Sequence, residues 1–239
     1  MSVCFWPSGW GRTIVCLWAI PQDHVYRSLV PTMNSFERRA HQLGYRSIAG
    51  IDEVGRGPLA GPVIAAAVIL PPNYKNKEIK DSKQLPAKKR EKLSEIIRRD
   101  ALSIGLGVVD ASVIDEVNIF QATLVAMREA ALNLSMTPDY LLIDGAHHIF
   151  VSIPQEAIVK GDSKSVSVAS ASIIAKVLRD RIMETYDRQF PQYNFSKNKG
   201  YATAEHREAI KEYGYCRIHR RSFTVKDRSL IQVNAEMEF

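Results

Sequence analysis

The chain is short of cysteine and histidine and has no long apolar run, and each shortage removes a class of function. Its three cysteines, Cys4, Cys16 and Cys216, are odd in number and lack C-x-x-C spacing. Neither a disulfide framework nor a zinc site is supported, and a reducing compartment fits best. No apolar stretch approaches the ~20 residues that a membrane span needs. Arg12 followed by Ile14 to Ile20 is the one targeting-like feature, but the run is short and no A-x-A cleavage site follows it. A G-x-x-x-x-G-K-[ST] loop is missing, so phosphate transfer from ATP has no seat. Internal repeats and low-complexity segments are missing too.

What is present is an ordinary soluble composition with a basic excess. The 239 residues, 46% hydrophobic and 24% charged, suffice for one large domain or one domain with a small appendage. Lys and Arg total 32 against 26 Asp and Glu, a net charge of +6, with a pI near 9.2. The excess is clustered in KNKEIK, KKREK, IIRR, KNK and RIHRR. A polyanionic partner suits such a distribution.

Ser47 to Leu70, SIAGIDEVGRGPLAGPVIAAAVIL, organises the rest. Ile48 to Ile51 reads as a short buried strand and Val63 to Leu70 as a longer one, with Gly55, Gly57, Pro58, Gly61 and Pro62 punctuating the link. Asp52 and Glu53 therefore end a strand at the mouth of an apolar core. Adjacent carboxylates there repel each other and resist desolvation, so a cation or a proton must neutralise them. In a pleated strand the two point opposite ways, and they share a site only if the chain bends, which Gly55 and Gly57 permit.

Elsewhere the pattern alternates. A helix from Asn34 or Ser35 to Leu43, with Gly44 beyond it, precedes the first strand. Pro86 opens a helix with Leu93, Ile96 and Ile97 on its apolar stripe, and Ala101 to Val109 reads as a strand. Asp110 or Ser112 caps a helix running to about Leu134, with Ile119, Phe120, Leu124, Met127 and Leu132 as inward candidates. Tyr140 to Ile143 is a strand ended by Asp144. Ile153 to Val159 is another, closed by Lys160-Gly161-Asp162. Ser165 to Gln189 is a long helix, buried in its first half, and Thr203 to Tyr213 is a helix ended by Gly214. The order implies an α/β sheet domain with carboxylates at strand ends. Asp52, Glu53, Asp144 and Asp162, if their strands are neighbours, form an all-oxygen site suited to Mg²⁺ or Mn²⁺. Hard ions inside a basic rim point to phosphodiester chemistry.

Ile51 to Val63 (IDEVGRGPLAGPV), LIDG at 142–145, KGDSKS at 160–165, SASIIAKVLRDR at 170–181, KGYATAEH at 199–206 and IHRRSF at 218–223 together resemble bacterial ribonuclease HII. The resemblance covers Asn34 to about Val225. It implies a ribonuclease H-like fold: a mixed five-stranded sheet flanked by helices, with a small C-terminal helical extension. It also implies endonucleolytic, Mn²⁺- or Mg²⁺-dependent hydrolysis of the RNA strand of RNA–DNA hybrids. Single ribonucleotides in duplex DNA are included, cut on their 5′ side to leave a 3′-hydroxyl and a 5′-phosphate.

The family's four metal-binding carboxylates fall on Asp52, Glu53, Asp144 and Asp162. Gly55, Arg56 and Gly57 match its Gly-Arg-Gly motif at the ribonucleotide, where glycine lets main-chain groups approach a 2′-hydroxyl. Tyr201 matches the tyrosine that stacks on the following deoxyribose. Lys83, Ser170, Lys176 and Arg179 are candidate phosphate contacts. Asp180 reads as an ion-pair partner on its helix, and His206 and His219 as packing or hydrogen-bonding residues. Asp162 is also a candidate N-cap for the long helix.

The expected organisation is a poorly ordered or non-native extension over 1–32, a catalytic domain over 33–225 and a tail over 226–239. Translation starting at Met33 is one explanation of the extension. The expected setting is the cytoplasm, with nucleic acid as partner, no membrane, and a monomer without an obligate protein partner. Ribonuclease HIII is the nearest rival but carries an added N-terminal substrate-binding domain, for which Met1 to Thr32 is too short. A module that binds hybrids without cutting is the rival from another class, and concentrating carboxylates beside phosphate argues against it.

Overall fold

Residues 33–79, 82 and 85–223 are described in the computed structural model; the expected extension over 1–32, the tail from 226 and Lys83 lie outside them. β1 (Ile48–Val54), β2 (Val63–Ile69), β3 (Ser103–Val109), β4 (Tyr140–Asp144) and β5 (Gln155–Ile158) form one sheet in the order β3-β2-β1-β4-β5. The pairs β1–β2 and β2–β3 are antiparallel, while β1–β4 and β4–β5 are parallel. This is the mixed five-stranded sheet that the family resemblance implied. Because β1, β4 and β5 run the same way, their carboxyl ends lie side by side. In open α/β sheets that edge is where ligands bind.

Both faces of the sheet are covered, which is why all seven residues of β2, VIAAAVI, are buried rather than alternating. α3 (Ala111–Leu132) packs on one face with Ile51, Ala65, Ala67 and Ile143. α4 (Val166–Gln189) covers the other, backed by α2 (Ala87–Asp100), around Ile64, Ala66, Val68 and Ile173. Helix and sheet approach closely at glycine. A Cβ on Gly50 would lie 2.2 Å from the Ser167 carbonyl carbon, and one on Gly107 would lie 2.0 Å from the Ala126 carbonyl oxygen.

That closeness corrects part of the inward face expected for α3: Ile119, Leu124 and Met127 do pack into the core, but Phe120 and Leu132 do not. Ala122, Ala126 and Ala130 are fully buried on that face, whereas Phe120 and Leu132 are 36% and 51% exposed. Small residues opposite Gly105 and Gly107 let the helix seat, and larger ones would hold it off. The helix also breaks at Asn118, whose φ is +67°. The Asn118 side chain accepts hydrogen bonds from the Phe120 and Gln121 amides, so the helix restarts there with a new cap.

α1 (Ser35–Gln42) is tied to the start of α4 through Glu37. Its carboxylate accepts from the Ser165 hydroxyl and the Ser167 amide, at the helix end where negative charge is favoured. Ser165 is the N-cap of α4, accepting from the Val168 amide, so Asp162 does not cap it. β3 and β5 are shorter than expected, starting at Ser103 and Gln155. Beyond α4, the short α5 (Phe195–Asn198) and α6 (Ala204–Tyr213) gather Leu59, Met183, Tyr193, Phe195 and Ile218 into a small separate core. Thr203 caps α6 by accepting from the His206 amide, and Gly214 ends it, as the sequence indicated.

Candidate metal centre and nucleic-acid interface

Asp52 and Asp144 end up side by side because Ile51 pairs with Ile143 in the parallel β1–β4 ladder. β1 runs through both Asp52 and Glu53 to Val54, and the chain bends at Gly55, one of the two glycines expected to permit it, where φ is +95°. The Asp52 carboxylate accepts the Glu53 amide at 2.8 Å. Oxygens of Asp52, Glu53 and Asp144 then all lie within 4.8 Å of one another. Asp144 is held by the Gly161 amide at 2.6 Å. Asp162 follows Gly161 in a short 3-10 turn, buried, outside that tight group but close enough for its charge to act on Asp52.

Burial and like charge set the electrostatics. Burial, then Glu53 and Asp144, hold the Asp52 carboxyl well above the ordinary range, and a hydrogen bond from Ser172 opposes them. Burial also raises Glu53, with Arg56, at 3.3 Å, pulling the other way. Carboxylates so placed favour a proton or a cation. With oxygen donors only, the set fits a hard divalent ion of the Mg²⁺ or Mn²⁺ kind. Ser172 was not singled out from the sequence. It lies on α4, and its hydroxyl is also 2.8 Å from that of Ser82.

The Gly55–Gly57 turn borders this centre. Gly55 is buried and Gly57 exposed, and a Cβ on Gly57 would sit 3.8 Å from the Tyr201 ring. Turn and tyrosine are therefore neighbours, with Tyr201 45% exposed. A cleft of about 100 Å³ opens beside Glu53 and Asp144, walled by Phe120, Leu124 and His147. His147 packs edge-on against Phe120 with centroids 4.9 Å apart.

The candidate phosphate contacts separate. Lys176 keeps some exposure and pairs with Asp180 at 2.7 Å, which also meets Arg90 at 3.4 Å. Asp180 is thus an ion-pair partner, though of Lys176 and Arg90. Ser170 is fully buried, its hydroxyl donating to the Val166 carbonyl at 2.7 Å. Arg179 is fully buried as well, donating to the carbonyls of Pro62, Ala60 and Lys199. Neither of these two reaches solvent, so the phosphate contact expected of them has a physical obstacle. Arg220, overlooked in the sequence, is 1% exposed and reaches the carbonyls of Gly55, Arg56, Pro58 and Gly61. Burial lowers its pKa to about 9.

Behind Tyr201, His206 and His219 form a buried pair with Nε2 atoms 3.0 Å apart. Burial lowers both, His219 to about 3. A histidine that stays neutral when folded but protonates when unfolded makes the unfolded state bind more protons, so stability falls as pH drops through about 6.5 toward 3. Asp52 and Glu53 act in the opposite sense. The difference between wild type and a His206→Gln/His219→Gln variant isolates the histidines: the wild type should lose more stability between pH 7 and 5, by about 1 kcal/mol per pH unit for each proton taken up. Denaturant unfolding at several pH values measures it.

The sequence profile of the Ribonuclease HII family matches residues 49–226, well over half of the chain. A Ribonuclease HII of Syntrophus aciditrophicus is 67% identical over 205 residues, 84% of this chain and 97% of that one. Among solved structures, the ribonuclease H2 of Pyrococcus horikoshii superposes with a TM-score of 0.64 at 26% identity, covering 80% of this chain and 98% of its own. The RNase HII seen in complex with PCNA from Archaeoglobus fulgidus gives 0.65 at 27%, covering 78% and 99%. With the carboxylates at the ends of parallel strands and the profile matching across them, the chain belongs to the ribonuclease HII family.

Proposed function

We propose that this protein hydrolyses the RNA strand of RNA–DNA hybrids and incises duplex DNA on the 5′ side of a lone ribonucleotide, leaving 3′-hydroxyl and 5′-phosphate ends. The observation that carries this reading is the convergence of Asp52, Glu53 and Asp144 within 4.8 Å, beside a glycine turn that neighbours Tyr201. Asp52, Glu53, Asp144 and Asp162 would hold Mn²⁺ or Mg²⁺, which when bound would lower the pKa of a water and offset charge on the leaving oxygen.

The chain's own groups do the rest. The Glu53 amide and Ser172 hydroxyl orient Asp52, and the Gly161 amide orients Asp144, so little reorganisation is needed when the ion arrives. The main chain at Gly55 to Gly57 approaches the 2′-hydroxyl, with Arg56 near the phosphate. Tyr201 stacks on the next sugar and tests for deoxyribose. Lys83 and Lys176 serve phosphates, while Arg179 and Ser170 support the elements that carry the site. The protein acts in the cytoplasm, as a monomer without an obligate protein partner. Among the described residues no helix is long and apolar enough to cross a membrane.

Labelled RNA–DNA hybrid, all-DNA duplex and all-RNA duplex, each with Mg²⁺, Mn²⁺ or EDTA, test the chemistry. Metal-dependent cutting of the hybrid's RNA strand alone, with the stated ends, is expected. Binding of hybrid without cutting under any metal would favour a binding module instead.

A further inference from the structure

The Gly55–Gly57 turn and Tyr201 lie far apart in sequence, yet a single segment braces both. Residues 218–220 run beside 59–61: the Gly61 amide donates to the Ile218 carbonyl and the Arg220 amide to the Leu59 carbonyl, both at 2.8 Å. In extended backbone successive side chains point opposite ways, so His219 and Arg220 diverge. Arg220 spreads over four carbonyls of the turn, from Gly55 to Gly61, at 2.6 to 3.0 Å. His219 points to the tyrosine side.

The histidine hydrogen bonds have one consistent direction. The Cys216 amide donates to His219 Nδ1 at 2.9 Å, so that nitrogen accepts and the proton of the neutral ring sits on Nε2. His219 Nε2 therefore donates to His206 Nε2 at 3.0 Å, which leaves the His206 proton on Nδ1, 2.9 Å from the Tyr201 carbonyl. The end of the segment is pinned to α3, where Asp115 accepts from the Arg221 and Ser222 amides.

We propose that the segment Cys216–Arg220 sets the spacing between the ribonucleotide-reading turn and the junction-testing tyrosine, with Arg220 holding the first and His219, through His206, holding the second. Neither residue touches substrate; both are positioning residues. A guanidinium buried without a carboxylate contact is costly, and it persists here because four main-chain carbonyls accept its hydrogens. The assignment rests on the roles given above to Gly55–Gly57 and Tyr201.

The test is the ratio of the incision rate at a lone ribonucleotide in DNA to the cleavage rate of a uniform hybrid. It is measured for wild type, Tyr201→Ala, His219→Gln, Arg220→Lys and the Tyr201→Ala/His219→Gln pair, with thermal melting to follow folding. Tyr201→Ala and His219→Gln are each expected to lower the ratio about tenfold, and the pair no further, because both remove the same placement. Arg220→Lys keeps the charge but cannot span four carbonyls, and it should lower the ratio as well. If Tyr201→Ala leaves the ratio unchanged, the reading of Tyr201 fails and the proposal with it. If Tyr201→Ala lowers the ratio while folded His219→Gln and Arg220→Lys do not, or if the pair is additive, the bracing segment alone is refuted. Should His219→Gln unfold, His206→Gln provides the same comparison one hydrogen bond nearer the tyrosine.

Discussion

Asp52→Asn should lower turnover by at least about a thousandfold, equivalent to ~4 kcal/mol of transition-state stabilisation, while raising the stability of the metal-free protein. The two effects share one cause. Asp52 is the most buried of the clustered carboxylates, and burial together with Glu53 and Asp144 raises its pKa well above the usual range. A carboxyl whose pKa is higher folded than unfolded contributes stability when protonated and loses it as pH rises, so at neutral pH its charge works against the fold. Asparagine keeps the shape and can still accept from the Glu53 amide, but it brings no charge. A melting temperature higher by about 3 °C per kcal/mol gained is expected without metal, and a smaller rise than wild type shows on adding Mn²⁺. Hybrid binding should survive, since removing a negative charge does not weaken contacts to phosphate. Undiminished turnover would remove Asp52 from the metal centre.

Gly50→Ala should cost about 3 kcal/mol or more, and activity with it. The added Cβ would lie 2.2 Å from the Ser167 carbonyl carbon and 2.3 Å from the Val168 nitrogen, both main-chain atoms of α4. A helix cannot yield locally there as a flexible side chain would. It must move off β1, taking Ser172 away from Asp52 and disturbing the turn that holds Asp162. Gly145→Ala is the informative contrast: its φ is +105°, but no atom lies within 4 Å of the new Cβ, so only backbone strain of roughly 1–2 kcal/mol applies. Urea unfolding should show a fall in midpoint at unchanged slope for both, much larger at Gly50.

Much of this architecture was legible because strands here are short and apolar and end at clear punctuation. Ile48–Ile51 and Tyr140–Ile143 each stop at an acidic residue that marks the sheet edge where a site forms, while Val63–Leu70 stops at Pro71-Pro72 on the opposite edge. Helix α6 was legible from its caps, Thr203 and Gly214. The extent of α3 was legible too, and Ile119, Leu124 and Met127 were placed inward as found; Phe120 and Leu132 were not, because the face against the strand glycines is alanine and because Asn118 resets the helix phase. Neither leaves a large apolar stripe.

The site was legible in its acids and poorly in its bases. Arg179 and Arg220 look in sequence like any solvated arginine, since what buries them is a set of main-chain carbonyls that only the folded turn presents. Ser170 carried its own warning: it lies in the SVSVASASIIAK stretch whose small residues signalled a buried helix face. His206 and His219 were read as packing or hydrogen-bonding residues, and they do both. Nothing in the sequence showed that they bond to each other.

The most direct measurement is incision of a labelled DNA duplex containing one ribonucleotide, beside an all-DNA control, with Mg²⁺, Mn²⁺ or EDTA. The expected result is a single metal-dependent cut on the 5′ side of the ribonucleotide and none in the control. Binding without incision under any metal, or cutting that ignores the ribonucleotide, would contradict it.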